Sequence, residues 1–247
     1  MRLAIVTAHL DKEKTREYWQ EWEKDAPLTR VEGIMGPVPA FYEGCIRASR
    51  EWLGGSDLIA CLHDDLAIHA PTFPEEGWVA QVARAFDADS ELLLAGFGGA
   101  TGLGEEWIYE RAFDPMSLVR KDFISNMDKA EVHGRRVEQV TEVACLDGFS
   151  LIGRAEFMLA GFHLFKGLGI IHHAYDSALG ALAYRWGGKV KMIPVRCHHA
   201  GGRTAVGQSE YAEWAEKMHG GNKTIWLHAH HAIWHEFRDV LPIRVGG

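Results

Sequence analysis

Leu58-Ile59-Ala60-Cys61-Leu62 is an unbroken apolar run bounded by Asp57 and by His63-Asp64-Asp65. A strand with one wet face alternates polar and apolar residues, whereas one that is apolar at every position has both faces covered. The run therefore predicts a central parallel strand. The flanking segments alternate accordingly. Leu3-Ala4-Ile5-Val6-Thr7 reads as a buried strand, 12–24 as a helix, and Leu28 to Ile34 as a second strand closed by Gly36-Pro37. Ala40 to Leu53 has helical spacing and stops at Gly54-Gly55. Gly77 to Phe86 reads as a helix and Glu91 to Phe97 as a strand. This β-α-β-α-β order predicts an α/β fold, a mostly parallel central sheet flanked by helices.

Residues 98–135 break the rhythm. Gly98 to Gly104 is glycine-rich, and the charged stretch after it has no clear period, which predicts a loop or lid. The alternation then resumes. Gln139 to Leu146 reads as a strand, Asp147-Gly148 as a turn, Phe149 to Ile152 as a short strand and Ala155 to Ala160 as a short helix. Asp176 to Trp186 reads as a helix ended by Gly187-Gly188, and Lys189 to Val195 as a strand. From Ser209 to Phe237 the chain is helical in character, broken at Gly220-Gly221. The expected organisation is one α/β domain over 1–203, with a C-terminal helical extension, 204–247, packed on it.

The chain has 247 residues, enough for one large domain, and its 47% apolar content supplies a core. A formal charge of -8 gives no help to non-specific nucleic-acid binding, and an acidic protein that handles phosphates needs a cation as mediator. Cys45, Cys61, Cys145 and Cys197 show no CxxC spacing and sit in apolar stretches, so reduced, buried thiols are expected. No apolar run approaches the ~18 residues of a membrane span and the N-terminal run is too short for a signal peptide, so a cytoplasmic protein is expected.

Four constellations carry chemistry. His63-Asp64-Asp65 follows the apolar strand, and ligands in open α/β sheets bind at the carboxyl ends of strands. Adjacent carboxylates repel unless a cation or donor neutralises them, so the triplet is either a metal site for phosphates or a solvated acidic turn. Asp176, in Ala174-Tyr175-Asp176, opens a helix as an N-cap or as a general base facing a cleft. Cys197-His198-His199-Ala200-Gly201-Gly202 follows a strand; adjacent histidines there point to opposite sides, so at most one faces a given metal. Asp147-Gly148 is a β-turn or a carboxylate that orients a sugar. His228, His230, His231 and His235 have helical metal-ligand spacing but read first as a surface or amphipathic face.

In this order, the constellations resemble the inverting family 2 glycosyltransferases of the GT-A fold. The likeness is carried by 40–66 (AFYEGCIRASREWLGGSDLIACLHDDL), 143–162 (VACLDGFSLIGRAEFMLAGF) and 172–202 (HHAYDSALGALAYRWGGKVKMIPVRCHHAGG). The resemblance implies a transferase that moves a sugar from a nucleotide-diphosphate donor, UDP above all, to an acceptor hydroxyl with Mn²⁺ or Mg²⁺. It implies Asp65 with His198, or less favoured His199, as metal ligands, and Asp176 as the catalytic base. Thr7, His63, Asp64 and Asp65 would meet the donor, and Asp147, Gly148 and Tyr175 the donor sugar or acceptor. Trp107 and Tyr109 offer aromatic faces for an acceptor. His63 departs from the pattern, standing where the first acid of the DxD motif is usual. The acceptor is open among a glycan, a lipid-linked sugar, a protein side chain and a hydroxylated nucleobase in DNA, and the oligomeric state is unread. The alternatives are a non-catalytic nucleotide-sugar-binding module of the same fold and a metal-dependent nucleotidyltransferase or phosphohydrolase.

Overall fold

The computed structural model describes residues 1–9, 20–52, 54, 57–69, 77–106, 117–128, 134–200 and 210–245. Its spine is a seven-stranded sheet. In spatial order the strands are β2 (Leu28–Glu32), β1 (Leu3–His9), β3 (Leu58–His63), β10 (Ser150–Arg154), β5 (Leu92–Gly96), β11 (Lys189–Met192) and β8 (Thr141–Glu142). The β1–β2, β1–β3 and β5–β11 pairs are parallel, while β10 runs antiparallel to both β3 and β5, and β8 antiparallel to β11. Five strands thus run one way and two the other. The chain is an α/β protein with a mixed, mostly parallel sheet. β3 is parallel to its neighbour on one side only, because β10 intervenes on the other.

The apolar run is explained by two cores, one on each face of the sheet. Ala4, Val6, Ile59 and Cys61 belong to one cluster, and Leu3, Ile5, Leu58, Ala60 and Leu62 to the other. Successive strand side chains point to opposite faces, so a strand between two helical layers must be apolar throughout. Each fully buried leucine or isoleucine here stabilises the fold by roughly 1.5–3 kcal/mol. The first face is covered by α1 (Pro37–Glu51), α3 (Ala155–Gly167) and α4 (Tyr175–Arg185), the second in part by α2 (Trp78–Ala88). Pro37 starts α1, where its missing N–H costs no hydrogen bond. A Cβ on Gly44 would lie 2.2 Å from Val6 Cγ1, so α1 rests on β1 at backbone distance.

Where it is described, the segment read as loop or lid is largely β structure. β6 (Gly98–Glu106) and β7 (Ser117–Ser125) form an antiparallel pair, with β9 (Cys145–Leu146) and β13 (Ile243–Arg244) on the other edge of β6. The glycines that hid the strand pattern let β9 lie against β6: a Cβ on Gly99 would sit 2.4 Å from the Cys145 carbonyl oxygen. Gln139 to Leu146 is two short strands, β8 and β9, and not one. β4 (Leu66–Ile68) pairs antiparallel with β12 (Cys197–His199) as a separate ribbon. The C-terminal helices are α5 (Glu210–His219) and α6 (Asn222–Phe237), separated by Gly220 and Gly221, both at positive φ. α6 sends Ala229, Ile233 and Phe237 into the first core, while His228, His231 and His235 stay exposed. The helix expected over 12–24 falls mostly outside the described residues, as do Trp107, Tyr109, Gly201 and Gly202. All four cysteines are buried and free, and no helix among the described residues is long and apolar enough to cross a membrane.

Candidate metal centre and its flanking carboxylates

β3 ends at His63, Asp64-Asp65 form a two-residue turn, and β4 leads away to pair with β12. The β4–β12 register sets His199 opposite Leu66 and His198 opposite Ala67, and the Ala200 amide donates to the Asp65 carbonyl at 3.2 Å. This short ribbon delivers His199 to the acidic turn. His199 Nε2 lies 3.1 Å from Asp65 Oδ1 and 3.2 Å from His63 Nδ1. One ligand atom from each of His63, Asp65 and His199 falls within 4.8 Å of the others, the donor set of a divalent-cation site. The alternation of side chains along β12 turns His198 the other way, to 3.8 Å from Asp128, which also bonds His69 at 2.9 Å. The group therefore takes in His199 and leaves out His198, the reverse of the order that the resemblance suggests.

The electrostatics suit ligation. Burial, with the neighbouring His199, pushes the His63 imidazole down to about 4, so it is neutral near pH 7. Burial raises the Asp65 carboxyl, but the hydrogen bond from His199 and the nearby imidazoles outweigh it and hold the group below its ordinary value. Both groups are thus in the protonation state that binds a metal.

Tyr175 links this centre to the start of α4. Its hydroxyl lies 3.0 Å from His63 Nε2 and 3.4 Å from the Gly148 carbonyl, and its side chain is buried. Tyr175, expected from the resemblance to meet a sugar, thus contacts the centre itself. His173 and Ala174, which lead into α4, both have positive φ (64° and 52°), a conformation costly to residues other than glycine. The segment that carries them is tied to the C-terminal helices: His173 Nε2 meets Asn222 Oδ1 and His172 Nδ1 meets the Tyr211 hydroxyl, both at 2.7 Å.

Asp176 is 4% exposed and its carboxylate is fully engaged. Oδ2 accepts from the Gly148 amide at 2.9 Å and pairs with Arg120 Nη2 at 3.0 Å, while Oδ1 accepts from the Ser177 amide at 2.7 Å. Arg120, on β7, is the residue that sequence reasoning missed; its Nη1 also lies 4.0 Å from Asp147 Oδ1. Burial works against its charge, yet Asp176 and Asp147 more than compensate and its pKa is raised. Asp147 keeps 38% of its side chain exposed, but the protein around it desolvates the carboxylate and raises its pKa. It lines an open cavity of about 160 Å³ with Gly98, Gly99, Phe123, Ser125 and Met127.

Thr7 is fully buried and donates its hydroxyl to the Leu62 carbonyl at 2.9 Å, so it ties β1 to β3 and does not face the cleft. Asp64 is half-buried in the turn beside the centre. Gly148 sits where a Cβ would lie 2.7 Å from the Tyr175 hydroxyl and 3.2 Å from Asp176 Oδ2, so a larger residue there displaces both.

No protein-family model and no curated protein matches the chain. Among solved structures, A197 from STIV aligns over 82% of this chain and 87% of its own length, at 10% identity and a TM-score of 0.48. GalNAc-T7, solved with UDP, GalNAc and Mn²⁺, aligns over 81% of this chain and 44% of its own, at 13% identity and a TM-score of 0.46. A UDP-glucose pyrophosphorylase aligns over 79% and 74%, at 12% identity and a TM-score of 0.42. With TM-scores below 0.5, these similarities assign the chain to no family.

Proposed function

We propose that this chain is a metal-dependent glycosyltransferase of GT-A type that moves a sugar from a nucleotide-diphosphate donor, UDP-linked above all, to an acceptor hydroxyl with inversion. One observation carries the reading: the His63–Asp65–His199 group at the carboxyl end of β3 stands beside the buried Asp176, its partly exposed partner Arg120 and a cavity lined by Asp147. Cation ligands and a carboxylate at one sheet edge are what displacement of a diphosphate by a hydroxyl requires. The two imidazoles and the carboxylate would hold a divalent ion, whose chemistry is to neutralise charge on the departing diphosphate. Asp176 takes the proton of the attacking hydroxyl, which would cost it part of its ion pair with Arg120. Arg120 therefore governs both the position and the basicity of that carboxylate. The side of the cleft lined by Phe123 and Asp147 receives the acceptor.

A second assignment of the base has one observation in its favour. Asp147 is more exposed than Asp176, lines the cavity and has a raised pKa, the properties of a carboxylate able to exchange a proton with bound substrate. Release of UDP from UDP-sugars in the presence of Mn²⁺ tests the function without knowledge of the acceptor. Hydrolysis that disappears in Asp176→Asn and persists in Asp147→Asn supports the first assignment, and the converse pattern supports the second. Failure of the wild-type protein to cleave or bind any nucleotide sugar would overturn the reading.

A further inference from the structure

The two protein faces of His63 decide which of its nitrogens can bind a cation. The Tyr175 hydroxyl has one proton. Asp65 Oδ1 can only accept, 3.1 Å from His199 Nε2, so that nitrogen carries the hydrogen that also faces His63 Nδ1, and the Tyr175 proton is left for its other partner, the Gly148 carbonyl, at 3.4 Å. Toward His63 the phenol oxygen must then accept, at 3.0 Å, which places the ring hydrogen on Nε2. A neutral imidazole carries one N–H, so Nδ1 is left with a bare lone pair. Nδ1 is the atom that faces His199 Nε2 at 3.2 Å, with Asp65 Oδ1 3.1 Å from the same nitrogen. Two acceptors thus converge on one imidazole nitrogen, an arrangement in which the His199 Nε2 proton holds the place of a cation.

Resting on the metal-centre reading above, we propose that the site is built for a first-row transition ion in preference to Mg²⁺. We assign Tyr175 as the positioning residue that makes His63 bind through Nδ1. The donor set is two imidazoles and one carboxylate. Mg²⁺ is a hard ion that asks for oxygen ligands in near-ideal octahedral geometry and sheds water reluctantly, so two nitrogen ligands serve it poorly. Imidazole ligation favours transition ions, with affinity rising from Mn²⁺ through Co²⁺. Had an aspartate stood in place of His63, the centre would offer two carboxylates and the bias would weaken. Tyr175 supplies the outer contact that fixes the ring, and the loss of such contacts costs about 10–100-fold in metal affinity. Through Gly148, whose carbonyl meets Tyr175 and whose amide meets Asp176, the same phenol joins the metal ligands to the neighbouring carboxylate.

The test uses the full chain, stripped of metal with a chelator and titrated with MnCl₂, CoCl₂, ZnCl₂ and MgCl₂ by calorimetry, with the Co²⁺ visible spectrum as a direct readout of imidazole ligation. The expected result is binding that strengthens from Mn²⁺ to Co²⁺, with Mg²⁺ at least about 10-fold weaker than Mn²⁺. Tyr175→Phe should weaken Mn²⁺ and Co²⁺ by about 10–100-fold and change the Co²⁺ spectrum, with the metal-free melting temperature lowered by no more than about 2–4 °C for the lost buried hydroxyl. If that variant melts early, His63→Asp provides the second arm and should narrow the Mn²⁺-to-Mg²⁺ gap. Equal binding of Mg²⁺ and Mn²⁺, or wild-type metal affinity in Tyr175→Phe, overturns the proposal. Adding UDP separates the two claims. Metal that binds as described with no UDP binding leaves this proposal standing and sinks the donor reading, whereas UDP binding with no metal bound does the opposite.

Discussion

Removing Arg120 gives the most quantitative test of how the carboxylate side of the site is held. Arg120→Ala deletes the guanidinium 3.0 Å from Asp176 Oδ2, between side chains that are 24% and 6% exposed. Removing one partner of a buried pair leaves an uncompensated charge and costs about 3–5 kcal/mol. The Gly148 and Ser177 amides remain on the Asp176 carboxylate, and Arg120 is partly wet, so the lower end, about 3 kcal/mol, applies. For a chain of this size that corresponds to a fall in melting temperature of about 6–12 °C. Arg120→Lys keeps the charge and should lose less. Asp176→Asn combined with Arg120→Ala should lose less than the sum of the singles, with a coupling of about 1–3 kcal/mol. Urea unfolding at pH 7 of wild type, the two singles and the double variant, with Arg120→Lys beside them, measures each term. If Arg120→Ala unfolds within about 0.5 kcal/mol of wild type and the cycle shows no coupling, the pair does not organise the site.

The other expectations concern the histidines, the turn and the backbone before α4. Burial pushes His63 and His230 down to about 4 and His172 to about 3. Their folded pKa values lie below the unfolded value of 6.5, so the unfolded chain takes up protons first as pH falls. Their contribution is fully present above pH 6.5 and lost as pH falls toward 4 and then 3, at no more than ~1.4 kcal/mol per pH unit for each histidine. Urea midpoints equal at pH 7.5 and pH 5 would contradict this. Metal titration of single alanine variants should show His199→Ala abolishing Mn²⁺ binding and His198→Ala sparing it; loss in both would mean that the ribbon, not the ligand, was broken. Ala174→Gly should raise stability by about 1 kcal/mol by relieving the left-handed backbone at φ 52°, read as a higher melting temperature. Gly148→Ala pushes a methyl against the Tyr175 hydroxyl and should lower Mn²⁺ affinity even where the protein stays folded, measured in the same titration.

Much of this arrangement is legible in the sequence because its signals are local. Apolarity at every position of 58–62 needs two covered faces, and the acidic turn after it falls where a sheet presents ligands. The opposite directions of His198 and His199 follow from strand alternation alone, but which of the two meets Asp65 depends on the β4–β12 register, a non-local fact. Arg120 was invisible because β6 and β7 are held by backbone pairing along glycines, without an apolar alternation to mark them. The antiparallel direction of β10 was likewise unreadable, since a short buried strand has the same composition in either sense. The resemblance offered Tyr175 only as a sugar or acceptor contact; its hydroxyl meets His63 through the packing of α4 against the end of β3, which no local pattern announces.

The central claim is that the His63–Asp65–His199 group and the cleft beside it form a metal-dependent nucleotide-sugar site. The most direct measurement is the melting temperature of the protein against a panel of nucleoside diphosphates and nucleotide sugars, with and without Mn²⁺, since a ligand specific to the native state raises apparent stability. The account predicts that a uridine nucleotide stabilises the protein only when Mn²⁺ is present, and that His199→Ala removes the effect. No stabilisation by any nucleotide, with or without metal, would contradict it and move a phosphohydrolase or a binding module ahead of the transferase.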